Sequence, residues 1–119
     1  MRRNLRDQEE FQNVYRNGTR YDAASISVFV IENQSSHHRL GVTASKKALG
    51  KAVQRNRAKR LLREAFRSNE ECLKDLNASY DWVLNAKAKI LSDKVRVPTL
   101  ELQQIVEKVR KSETLAAAK

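Results

Sequence analysis

Lys46 to Arg67 reads KKALGKAVQRNRAKRLLREAFR. From about Ala52 to Ser68 its apolar residues recur with a helical period. At 100° per residue Ala58, Leu61, Leu62, Ala65 and Phe66 gather on one side. Asn56, Lys59, Arg60, Arg63 and Arg67 gather on the other, and Arg55 and Arg57 fall toward the two margins. Such a helix docks on something apolar and turns a cationic stripe outward. Nine of these 22 residues are Lys or Arg, and only Glu64 is acidic. The segment therefore carries +8 of the chain's formal +10, leaving the remainder near neutrality. Basic helix faces usually interleave acidic residues one turn away. Here that relief is almost absent, and the asymmetry points to a polyanion, foremost nucleic acid, over a merely solvated face.

The flanking sequence supplies what the helix docks on. Upstream, Asp7 and Glu10 have capping-box spacing, Phe11, Val14 and Tyr15 share a helical face, and Gly18 is a natural stop. A first helix is expected at about Asp7 to Asn17. Ser25 to Glu32 (SISVFVIE) reads as a strand with Ile26, Val28 and Val30 on one face and Ser27, Phe29 and Ile31 on the other. Thr19 to Ala24 has room for a short extra strand. Asn33 to His38 (NQSSHH) reads as a hairpin loop leading to a strand at Arg39 to Ser45. Lys46 to Lys51 reads as a loop. Downstream, Asn69 to Ser79 is a polar connection and Tyr80 to Ala88 (YDWVLNAKA) a strand. Ile90 to Val97 is a loop, and Pro98 and Thr99 open a last helix with core stripe Leu102, Ile105, Val106 and Val109. The tail from about Ser112 is expected to fray. The 119 residues thus form one domain of α+β class. It is a layered α-β-β-β-α-β-α fold with three helices on an about four-stranded, mostly antiparallel sheet.

Composition narrows the function classes. No apolar run approaches the ~20 residues that cross a bilayer, and the basic then acidic N-terminus is not a secretory signal. Cys72 is the only cysteine, which suits a reducing cytoplasm and reads as apolar filler. No P-loop, nucleophile elbow, dinucleotide fingerprint or metal-ligand spacing occurs. His37 and His38 therefore read as surface residues, with no metal and no catalytic partner. Phe11, Tyr15 and Phe29 are either core packing or a stacking platform for unpaired bases. Phe29 shares its face with the polar Ser27, which suits a half-open sheet. Lys46 and Lys47 could extend the electrostatic track of the helix. Three rival readings use the same features. A ribosomal or ribosome-assembly protein would use the helix structurally. A DNA-binding module needs a helix-turn-helix that is not evident. A stand-alone nuclease needs a catalytic centre that is not visible.

The run from Ser45 to Arg67, with its core Arg55-Asn56-Arg57, Lys59-Arg60 and Arg63-Glu64, resembles the signature of the bacterial ribonuclease P protein subunit. Glu10 to Gly18 resembles that family's first helix, and Arg39-Leu40-Gly41-Val42 with Ser45-Lys46-Lys47 its strand before the signature. The resemblance implies a left-handed crossover in a small central sheet. It also implies an accessory role in an endoribonuclease whose catalytic centre is RNA. Arg55, Asn56, Arg57, Lys59, Arg60, Arg63 and Arg67 would face the ribonuclease P RNA. Phe11, Tyr15, Phe29, Lys46, Lys47 and Lys87 would meet the single-stranded 5′ leader of precursor tRNA. No cofactor is expected on the protein itself; Mg²⁺ serves the RNA-containing holoenzyme. No membrane and no obligate protein partner is implied. Two departures stand out: Gly50-Lys51-Ala52-Val53 occurs where Gly-Asn-Ala-Val is usual, and Lys87-Ala88-Lys89 where an Arg-containing segment is commoner.

Overall fold

Four consecutive residues of Tyr80–Ala86, Asp81 to Leu84, are buried, so this strand has packing partners on both faces. That places it inside the sheet. The computed structural model describes residues 3–92, 94 and 96–117. Its elements are α1 (Gln8–Asn17), β1 (Thr19–Asp22), β2 (Ile26–Glu32), β3 (Arg39–Thr43), α2 (Lys46–Leu49), α3 (Ala52–Arg67), α4 (Glu70–Leu73), β4 (Tyr80–Ala86), a 3₁₀ turn (Ala88–Leu91) and α5 (Arg96–Ala117). The sheet order is β1-β2-β4-β3. β1 and β4 each run antiparallel to β2, and β3 runs parallel to β4. The α+β architecture and the short extra strand expected from sequence are both present.

The hairpin expected at Asn33 to His38 is absent, because β4 lies between β2 and β3. The loop instead bridges over the end of β4 and is tied to it. The Asn33 side-chain amide donates to Asp81 Oδ1 at 2.8 Å, and Asn33 N donates to Ser79 O at 3.0 Å. Burial decides the arrangement. β4 brings Trp82, Val83 and Leu84, all fully buried, and their burial needs a strand on each side.

The two sheet faces carry different layers. Ile26, Val28, Val30, Trp82 and Leu84 face α3 and α5 and form the main core with Leu62, Leu102, Ile105 and Val109. Phe29, Ile31 and Val83 face α1 and form a smaller cluster with Leu5, Phe11 and Val14. Gly41 makes the second layer close. A Cβ there would lie 2.6 Å from two ring carbons of Phe11.

Other segments are more ordered than sequence suggested. Lys46 to Lys51 was expected to be loop, but Ser45 Oγ accepts from Ala48 N and starts the single turn of α2, which ends at Gly50 with φ 77°. The polar connection after Asn69 contains α4, whose Leu73 is buried. His38, expected at the surface, is half-buried. Its Nδ1 accepts from Tyr80 N and Trp82 Nε1, and its Nε2 reaches Leu73 O. Cys72 is a free, half-buried thiol. α5 starts at Arg96, before Pro98, and runs to Ala117. Glu113 explains that length. It accepts from Asn77 N, Ala78 N and the Tyr80 hydroxyl, so the last turns are tied to the core. The final two residues lie outside the described set.

Candidate nucleic-acid interface

α3 presents the cationic face that its periodicity predicts. Ala58, Leu62 and Ala65 are buried against the sheet and α5. Asn56, Arg57, Arg60, Arg63 and Arg67 are exposed, while Arg55 and Lys59 are half-buried at one margin. Only Arg67 is matched within the helix, by Glu64 at 2.6 Å, and that carboxylate raises the Arg67 pKa. Among the described residues, Arg55, Arg57, Lys59, Arg60 and Arg63 form no ion pair. Val53, on the same outward face, is 81% exposed. The surface is thus an unneutralised stripe of guanidinium and ammonium groups on a rigid helix, suited to phosphate oxygens.

A second surface lies on the α1 side of the sheet. Three rows of side chains cross the strands there. Ile31, Asp81 and Arg39 form the first. Arg39 donates to both Asp81 oxygens at 2.7 and 2.6 Å and to Glu10 Oε2 at 2.9 Å. Glu10 Oε1 accepts from the backbone N of Arg6 and Asp7, so this network clamps the start of α1 to the sheet. The second row is Arg20, Phe29, Val83 and Gly41, with Phe11 lying over Gly41. The third is Asp22, Ser27, Asn85 and Thr43. α1 covers the first two rows with its Glu10, Phe11 and Val14 contacts and reaches the third through Tyr15.

The third row is hydrogen-bonded at both of its ends. Ser27 Oγ donates to Asp22 Oδ1 at 2.6 Å. The Tyr15 hydroxyl donates to Asn85 Oδ1 at 2.9 Å, and the Thr43 hydroxyl donates to the same oxygen at 2.5 Å. Lys87 Nζ donates to Ala23 O at 2.6 Å and sits 3.6 Å from Asp22 Oδ1. The Ser27 hydroxyl, followed by Arg20, holds Asp22 below the usual carboxylate range. A polar, ordered floor results, bordered by aromatic rings.

The aromatic residues singled out from sequence take different positions. Tyr15 and Phe29 meet edge to face, centroids 4.8 Å apart, and Tyr15 is 38% exposed. The Arg20 guanidinium lies 5.4 Å from the Phe29 centroid. Phe11 is half-buried in the small core against Gly41, so its ring supports α1 more than it lines an open surface. Lys46 and Lys47 are exposed on α2, directly after β3, at the sheet end where Asn85 and Lys87 lie. The structure therefore brings Tyr15, Phe29 and Lys87 around one floor, with Lys46 and Lys47 at its end. Arg20, Thr43 and Asn85 belong to that floor too, and sequence reading did not single them out. Asn85 carried one signal: a polar residue that follows directly on the apolar run Trp82 to Leu84 within the strand. Among the described residues, no three His, Cys, Asp or Glu side chains gather to hold a metal ion, and no helix is long and apolar enough to cross a membrane.

A basic helix on one side of a small sheet and a polar, aromatic-edged floor on the other define an α+β protein with a surface charge suited to a polyanion. The sequence matches the Ribonuclease P family over residues 1–110, and the chain belongs to that family. It is 41% identical over 83 residues to the ribonuclease P protein component of Clostridium botulinum (strain Loch Maree / Type A3), covering 70% of this chain and 72% of that protein. The Staphylococcus aureus RNase P protein structure superposes with a TM-score of 0.78 at 24% identity, over 92% of this chain and 97% of that one. The RNase P protein from Thermotoga maritima gives 0.69 at 26%, over 93% and 97%.

Proposed function

We propose that this chain is the protein subunit of a ribonuclease P holoenzyme, acting in maturation of the tRNA 5′ end. α3 anchors the catalytic RNA through phosphate contacts from Arg55, Arg57, Lys59, Arg60, Arg63 and Arg67, with Asn56 on the same stripe. The floor beneath α1 holds the single-stranded 5′ leader of precursor tRNA. Tyr15 and Phe29 offer stacking surface, and Lys46, Lys47 and Lys87 set a positive field at one end. Phe11 fixes the height of α1 above the floor. Stacking tolerates any base, which suits leaders that differ between tRNAs. Hydrolysis belongs in this reading to the RNA and its Mg²⁺, and the chain's own residues bind and orient.

The observation that carries the reading is the row of unpaired cations on α3, in a chain that belongs to this family. It is tested by adding the protein to a bacterial ribonuclease P RNA at low Mg²⁺ and following 5′ processing. Rescue of cleavage supports the reading; cleavage by the protein without RNA refutes it. The anchoring half has its own test. Arg60→Ala with Arg63→Ala removes two exposed cations and should flatten the log–log salt dependence of RNA binding by roughly 1.4, taking ~0.7 per phosphate contact. An unchanged slope refutes phosphate anchoring by this face.

A further inference from the structure

The third row of the sheet has an asymmetry in its hydrogen bonding. Asn85 has one acceptor oxygen and an amide nitrogen with two N–H donors. Its Oδ1 already accepts from both the Tyr15 and the Thr43 hydroxyl. The amide oxygen, not the nitrogen, is the atom that faces both hydroxyls. Both lone pairs are thereby engaged. Nδ2 makes no hydrogen bond among the described residues, and the side chain is half-buried in the floor, not fully solvated. An amide usually reads adenine by accepting from N6 while donating to N7. That mode is closed here because the oxygen is occupied.

We infer that Asn85 is a specificity-determining residue of this floor, donating from Nδ2 to the keto oxygen of one leader nucleotide, O4 of uracil or O6 of guanine. The inference rests on the leader-binding reading of the floor and goes beyond it by assigning a base class. A cytosine or adenine in the same place turns its exocyclic amino group toward Nδ2, so that two donors face each other and neither is satisfied. Tyr15 supplies the adjoining ring against which the base lies, and its hydroxyl fixes the amide that reads it. Ser27 and Thr43 flank Asn85 in register, and each has committed its hydroxyl proton, to Asp22 and to Asn85 respectively. Asn85 is therefore the side-chain donor left at the middle of the row.

The test measures affinity of the reconstituted holoenzyme for precursor tRNAs in which each leader position in turn is A, C, G or U. One position should favour U and G over C and A by about threefold to tenfold, the net value of a single hydrogen bond. Asn85→Asp keeps an acceptor for Tyr15 and Thr43 but replaces the donor with a second acceptor, so the order at that position should reverse. Asn85→Ala should flatten it. Equal affinity for all four bases at every position overturns the inference, as does an unchanged order in Asn85→Asp. The leader reading itself fails by a different result: precursor and mature tRNA bound equally well by the wild-type holoenzyme.

Discussion

Gly41→Ala tests how α1 is seated on the sheet. The added Cβ would sit 2.6 Å from Cε1 and Cζ of Phe11, 0.8 Å short of the 3.4 Å at which ordinary contact begins, and 3.3 Å from Leu5 Cβ. The ring has little freedom to swing, because Val14 is buried beside it and Glu10, the residue before it, is bound to Arg39. The strain therefore passes to α1, which must lift from the sheet. Overpacking of this kind costs about 1–3 kcal/mol. In a domain of this size that lowers Tm by roughly 4–12 °C. Thermal unfolding followed by circular dichroism gives the stability, and the cycle with Phe11→Ala isolates the contact. With the ring removed, the alanine fits and its penalty should largely vanish. On the proposed division of surfaces, affinity for the leader should fall in Gly41→Ala while affinity for the ribonuclease P RNA, assigned there to α3, stays unchanged. The reasoning is refuted if Gly41→Ala lies within about 0.5 kcal/mol of wild type, or if its penalty persists undiminished in the Phe11→Ala background.

Two further outcomes concern buried polar groups. Asp81→Ala removes both oxygens that hold Arg39 and should cost about 3 kcal/mol in urea unfolding, the lower end for a broken buried pair because Glu10 still faces the guanidinium; a loss under about 1 kcal/mol argues against the clamp. Burial holds His38 below the ordinary histidine value of 6.5. Its contribution is then present above that pH and lost as pH falls, since the unfolded state takes up the proton more readily. The urea midpoint should drop between pH 7.5 and 5.5 more steeply in wild type than in His38→Gln, and equal pH dependence would count against it.

The parts of this molecule legible in sequence are those governed by local periodicity. α3 was readable because five apolar residues and a cationic stripe separate cleanly at 100° per residue, and its burial follows that pattern. Strand pairing was not readable in the same way. Asn33 to His38 has the composition of a hairpin turn, yet the free energy of enclosing Trp82, Val83 and Leu84 outweighs local turn preference and draws β4 between β2 and β3. The signal for that outcome was the unbroken apolar run Trp82 to Leu84 in β4, which marks a strand buried on both faces. His38 went unrecognised because its partners Tyr80 and Trp82 are more than forty residues away. Tyr15 and Phe29 were picked out as aromatic, but the floor they border is assembled from β1, β2, β3 and β4 by register. No local pattern announces that Asp22, Ser27, Asn85 and Thr43 will lie in one row.

The central place of β4 also governs how the chain comes to be made. β2 and β3 have no contact ladder with each other, and the strand that joins them is not synthesised until residue 86, after the whole of α3. A ribosome adding ~5–20 residues per second leaves an interval of seconds in which the cationic helix has emerged with no sheet to bury its apolar side. During that interval the nascent chain displays a sticky hydrophobic stripe and a cationic stripe on the same segment, close to ribosomal RNA. Sheet closure is a late event that the order of strands imposes on biosynthesis.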